Sequence, residues 1–211
     1  MNGYRVSNIE AFRQWREDEE GELSELVAKI MGNYEPSEAM KAGTAFHAAL
    51  ETAGIGFTAE LVTPGYRFFI DCDCTLELAP IREVRASKTY IVDGKPLIVS
   101  GQLDAIDGKR IDDHKTTGRF DPDRYLSGYQ WRLYLDIFEA DHFRWNVFEI
   151  SKSADTPDGQ DWSVFAAHRL EQHRYPQMAD DCQRLIEDFA RLVRSDAWRS
   201  EVESATAAIA A

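Results

Sequence analysis

The amino-acid sequence predicts an α/β (α+β) protein whose elements run helix, three strands, helix, strand between residues 37 and 150. Three observations carry this. Ser37 and the pair Asp121-Pro122 are helix-start signals, each opening a helical stretch. Between them the pattern turns to strands, with turns at Asp93-Gly94 and Asp107-Gly108. A chain of 211 residues with 44% apolar and 11% aromatic residues can bury a core as one domain.

Taken in order, residues 8–31 read as helical, with Ile9, Phe12, Leu23, Leu26, Val27 and Ile30 apolar, Gly21 a break, and Ser7 or Asn8 as cap. The run Glu17 to Glu20 is a solvated face. The second helix runs from Ser37 to about Ala53, before Gly54, and puts Gly43, His47 and Glu51 along one side. Strands follow at Tyr66–Asp71, Leu76–Val84 and Ser87–Val92, the last forming a hairpin with Leu97–Asp104. Glu83 on the middle strand is a further acid that can point toward the hairpin end. Past Asp107-Gly108, residues Lys109 to Ile111 lead into Asp113-His114-Lys115. A helix from Pro122 to about Ala140 sets Gln130 and Tyr134 one turn apart. Phe143–Ile150 and Trp162–Leu170 alternate like strands joined by a polar loop, Ser151 to Gln160. A helix from Arg174 to Arg194 and a fraying tail close the chain. The organisation expected is one domain over 1–211: an N-terminal helical extension (1–35), a core (37–150), and a C-terminal strand and helix (160–200).

Composition excludes several classes. No apolar run approaches the roughly 18 residues of a membrane span, so no membrane partner is expected. The first residues lack a basic and then apolar leader, which makes the cytoplasm the default location. Cys72, Cys74 and Cys182 are too few for a structural zinc or an iron–sulfur cluster and give no disulfide framework. A net charge of −13 argues against a histone-like DNA coat. It leaves room for a hydrolase with a local basic strip, for which Arg119, Arg124, Arg132 and Lys152 are scattered candidates.

The chemistry concentrates in Gly101 to Lys115. The Asp107-Gly108 turn brings Asp104 opposite Asp113, and strand alternation points Asp113 and Lys115 the same way. Two carboxylates and an ammonium at a strand end are costly unless a cation sits there, and hard oxygen ligands suit Mg²⁺ or Mn²⁺. That combination reads as a metal-dependent phosphodiesterase site.

The ordered series G-x-x-x-H (Gly43 to His47), G-x-x-D (Gly101 to Asp104), D-x-K (Asp113 to Lys115) and Q-x-x-x-Y (Gln130 to Tyr134) resembles the PD-(D/E)XK nuclease superfamily. Within it, the series is most similar to the RecB/Cas4-like branch and to stand-alone phage-type recombination exonucleases. The resemblance covers about residues 37 to 150 and implies a restriction-endonuclease-like αβββαβ core with a mixed sheet flanked by helices. Carried over by position, His47, Asp104, Asp113 and the His114 backbone carbonyl would be ligands to Mg²⁺ or Mn²⁺, with Glu51 a further acid found in some members. Lys115 would hold or activate the attacking water. Gln130 and Tyr134 would contact the substrate or buttress the lysine, with Thr116 and Arg119 further substrate contacts. No match to the Cas4 cysteine quartet exists, so no iron–sulfur cluster is expected, and Asp113 stands where many members carry Glu. The implied activity is a DNA exonuclease in recombination, repair or phage DNA processing. An endonuclease of the same fold and a non-catalytic DNA-end binding module are the alternatives. The implied partners are DNA and, by analogy, a single-strand annealing protein, with a homo-oligomer among the assemblies related exonucleases form.

Overall fold

The structure, a computed structural model, describes residues 3–53, 59–73 and 79–210. Gly54, Cys74 and the first residues of the strand expected from Leu76 lie outside them. One mixed sheet runs in the order β1 (Gly3–Arg5), β5 (Lys95–Asp107), β6 (Arg110–Thr117), β7 (His142–Thr156), β8 (Gly159–His173), β3 (Tyr66–Ile70), β2 (Glu60–Thr63). Strand β4 (Ile81–Val92) lies along the other edge of β5. The pairs β1–β5, β6–β7 and β3–β8 are parallel and the rest antiparallel.

Helices cover both faces. On one side α1 (Val6–Glu17), α2 (Leu23–Met31), α5 (Gln130–Ile137), α6 (Met178–Val193) and α7 (Asp196–Ala210) share one buried cluster with the sheet, from Val6 to Trp198. On the other side α3 (Glu38–Thr52) lays Ala42, Phe46, Ala49 and Leu50 against Phe68, Phe148 and Val164. Those four positions follow the helical period, which is why α3 buries one stripe only. Its start is held by Ser37, whose hydroxyl accepts from Met40 N at 3.3 Å. Its end is held by Arg82, whose Nη1 donates to the carbonyls of Leu50, Glu51 and Ala53 at 2.8–3.0 Å. A cation on the last carbonyls complements the helix dipole.

The expected helix–three strands–helix–strand series is present as α3, β4, β5, β6, α5, β7, and several expectations need correction. The cap of α1 is Arg5, with Asn8 Oδ1 accepting from its N–H at 2.8 Å, rather than Ser7 or Asn8. Strand β4 is continuous from Ile81 to Val92: Glu83, at φ 54°, is not paired with β5, but the register is the same on either side of it, Arg82 with Ala105 and Val84 with Leu103. The helix expected from Pro122 to Ala140 is two, α4 (Pro122–Leu126) and α5, interrupted at Ser127 to Tyr129. The polar stretch Ser151 to Gln160 is not a loop: β7 and β8 pair through it as far as Thr156 and Gly159. The tail is helical to Ala210 and packs against α2. Strands β1 and β2 were not expected.

Candidate active site

The site forms where β5 and β6 part. Their ladder pairs Asp107 with Arg110, Ile106 with Ile111 and Ala105 with Asp112, then stops. At the next position the Asp104 side chain takes over, with Oδ2 accepting from His114 N at 2.6 Å. The N–H and C=O of one strand residue leave by the same edge, so the His114 carbonyl faces the same opening.

Asp113 and Lys115 sit on the face of β6 toward α5, as alternation requires, and Lys115 Nζ lies 2.6 Å from Asp113 Oδ2. Apart from this ion pair, Asp113 Oδ2 is buried without a hydrogen bond of good geometry. The Lys115 ammonium also sits 5.6 Å from the centre of the Trp145 ring. From α5, Gln130 Nε2 donates to Asp113 Oδ1 at 3.4 Å. Tyr134 OH donates to Gln102 O at 2.8 Å, bracing β5 just before Asp104. From α3, His47 Nδ1 lies 3.5 Å from Asp104 Oδ2, on the far side of the opening.

Two glycines make these approaches possible. A Cβ on Gly101 would stand 2.7 Å from Tyr134 Cε1, and one on Gly43 would stand 2.7 Å from Thr116 Oγ1. Any side chain there would hold α5 off β5, or α3 off β6.

The charges are unequal. Burial pushes Asp113 up to about 6, with Asp104 adding to it and Lys115 opposing. Burial also disfavours charge on Asp104, but His47, Lys115 and the His114 N–H outweigh it and hold this carboxyl down at about 2. Burial opposes the Lys115 cation too, yet Asp113 and Asp104 raise its pKa above the ordinary value, so it stays an ammonium. Burial lowers His114, on the opposite face of β6, to about 4.

The structure thus brings His47, Asp104, Asp113, Lys115, Gln130 and Tyr134 to one opening. Thr116 lines a cleft of about 960 Å³ beside it, together with Tyr34, Met40, Thr44, His47 and Lys115. The remaining candidates fall elsewhere. No contact of the Glu51 side chain reaches the opening among the described residues, and its backbone carbonyl serves Arg82. Glu83 accepts from Gln102 Nε2 instead of reaching Asp104. Arg119 is exposed on the turn after β6, its backbone bonded to Thr117 Oγ1. Arg132 lies over the Trp131 ring, and Lys152 pairs with Glu38.

Glu10 was missed by the sequence reading. Its Oε2 accepts from Tyr129 N at 2.7 Å and Gln130 N at 3.1 Å, anchoring the start of α5 and hence Gln130. No local signal could link residues about 120 apart in sequence.

The donor set of two carboxylates, an imidazole and a carbonyl edge fits a hard divalent cation, and the under-satisfied Asp113 Oδ2 is where one would gain most. The donor atoms of His47, Asp104 and Asp113 are not all within 4.8 Å of one another. Lys115 and the His114 N–H each hold one carboxylate.

No family model matches this chain, and no curated protein matches its sequence. Among solved structures, it is similar to the crystal structure of SSO0001, with a TM-score of 0.54 and 19% identity over 92% of this chain and 78% of that one. Weaker likenesses at 14% identity and TM-scores of 0.43 and 0.42 are to LHK-Exo in complex with dAMP and to the alkaline exonuclease LHK-Exo from Laribacter hongkongensis. Each covers 99% of this chain and 94% of that one. What the SSO0001 likeness establishes is the fold: a central mixed sheet flanked by helices.

Proposed function

We propose that this protein is a divalent-metal-dependent DNA exonuclease of the PD-(D/E)XK superfamily, in its RecB/Cas4-like branch. The observation that supports this best is the meeting of four separate motifs, spread from Gly43 to Tyr134, at the one place where β5 and β6 part. His47, Asp104, Asp113 and the His114 carbonyl would hold Mg²⁺ or Mn²⁺, which when bound would neutralise phosphate charge and make its water more acidic.

The chain's own residues have separate tasks. With two carboxylates beside it, Lys115 keeps its proton; it orients the attacking water and steadies the charge that develops on the phosphoryl oxygens. Gln130 fixes the Asp113 carboxylate, and Tyr134 fixes the strand that carries Asp104. The neighbouring cleft offers the substrate strand a bed with the half-exposed side chains of Tyr34 and Met40. Aromatic faces accept bases regardless of sequence, which suits an exonuclease that must process any DNA.

The test uses linear DNA and a covalently closed circle, each incubated with the protein and Mg²⁺ or Mn²⁺. Loss of the linear form alone is expected. Cutting of the circle would make the enzyme an endonuclease, and loss of neither would leave a binding module. A role in recombination or phage DNA processing, beside a single-strand annealing protein, follows from the same reading.

A further inference from the structure

His142 opens β7 and His173 closes β8, and the antiparallel register sets them opposite each other. Paired residues share a face of the sheet, and Glu171, two residues before His173, shares it too. This is the face away from Asp113. It lies roughly 10 Å along β7 from Trp145, the residue paired with Asp113. The two imidazole rings stack, with centroids 4.5 Å apart and 17° between planes.

His142 Nε2 is buried and has no hydrogen-bond partner. It faces Glu171 Oε2 at 3.6 Å, too far for an N–H···O bond. Ligand atoms held about 2.0–2.1 Å from a tetrahedral zinc stand roughly 3.3 Å apart, so this pair is already near ligand spacing. One ligand atom from each of His142, Glu171 and His173 lies within 4.8 Å of the others. Near-parallel rings cannot both aim a lone pair at one ion, so joining the set requires the exposed His173 ring to swing out of the stack. Glu171 and His173 are exposed, which leaves an entry path.

The two nearby arginines are each paired with a carboxylate. Arg144, opposite Glu171 in the register, is held by both oxygens of the buried Asp112 at 2.7 Å, and Arg110 Nε contacts the same carboxylate at 3.3 Å.

We propose that His142, Glu171 and His173 form a binding site for a borderline divalent transition metal such as Zn²⁺, distinct from the Asp104/Asp113 opening. Two imidazoles and a carboxylate suit such an ion better than Mg²⁺. Its effect would be to pin the open end of the β7–β8 hairpin, where the chain enters from α5 and leaves for α6.

The test is titration of metal-free protein with Co²⁺ alone. Near one equivalent, the visible d–d bands of a low-coordinate cobalt should appear. They should be lost in His142→Ala and His173→Ala and kept in Asp113→Asn, because the oxygen-rich opening would give only weak six-coordinate bands. Separately, Zn²⁺ at a hundred times its dissociation constant should raise the melting temperature by roughly 5–10 °C, and Glu171→Gln, a nearly isosteric change, should remove that rise. Absence of the bands, their survival in His173→Ala, or their loss in Asp113→Asn would overturn the proposal. Because the readouts are spectral and thermal, they stand apart from whether the protein cuts DNA.

Discussion

Tyr134 stands where a side chain at position 101 would have to go, and the residue there is glycine. Gly101→Ala should therefore force α5 off β5, costing about 1–3 kcal/mol by overpacking and lowering hydrolysis through the displaced Tyr134. Urea denaturation alongside a rate assay checks both effects. The titrating residues make a second prediction, because two of them oppose each other. His114 falls from an ordinary 6.5 to about 4, so between those values the unfolded chain binds more protons and acid destabilises, by up to about 3 kcal/mol. Asp113 rises from 3.8 to about 6, so over nearly the same window the folded state binds more protons and acid stabilises by a similar amount. In the metal-free protein these two slopes should thus nearly cancel from pH 6.5 to 4.5. Asp113→Asn removes one slope and leaves the other, so that variant should lose about 2 kcal/mol over this range. Chemical denaturation at the two pH values measures it. Equal profiles for both proteins would show that the burial of Asp113 and His114 does not act as described.

At the scale of elements, α5 carries Gln130 and Tyr134 but is only eight residues long, and an isolated helix of that length is not stable. Its position is set from outside by Glu10 on α1, whose carboxylate meets the N–H groups that open the helix. Glu10→Ala should cost about 1–3 kcal/mol and reduce hydrolysis, with a smaller fall in metal affinity, because Gln130 steadies only Asp113 while Asp104 and His47 are held by other elements. A metal titration beside a rate measurement separates the two effects. The same elements show what was legible in the sequence. Strands β4 and β5 could be read because their hairpin has an Asp-Gly turn and alternating apolar residues, and α3 because Ser37 caps it. Strands β1 and β2, of three and four residues, are too short for any period to show. The outer ends of β7 and β8 carry exposed polar residues on a hairpin held by backbone pairing, which leaves no apolar alternation to detect. The alanine-rich tail has high helix propensity, and packing against α2 outweighs the fraying expected of a terminus.

For the molecule as a whole, a net charge of −13 means that no general attraction brings a polyanion to this surface. Binding would depend on the local arrangement at the parting strands, on the cleft beside it, and on a bound cation. This arrangement was readable as an ordered set of short motifs because each spacing matches the element that carries it: i, i+4 on one helix side for Gly43 with His47 and Gln130 with Tyr134, and two per strand repeat for Asp113 and Lys115. What spacing could not convey was the long-range support, the Glu10 anchor and the Arg82 cap, which depend on the closed fold. No helix among the described residues is long and apolar enough to cross a membrane. The most direct test of the central claim is the single-turnover hydrolysis rate of Lys115→Ala at saturating Mn²⁺, read beside its Mn²⁺ affinity. A charge that stabilises only the transition state predicts a rate lowered by about a hundredfold or more with Mn²⁺ affinity within a few-fold of the parent. A near-normal rate would contradict the account.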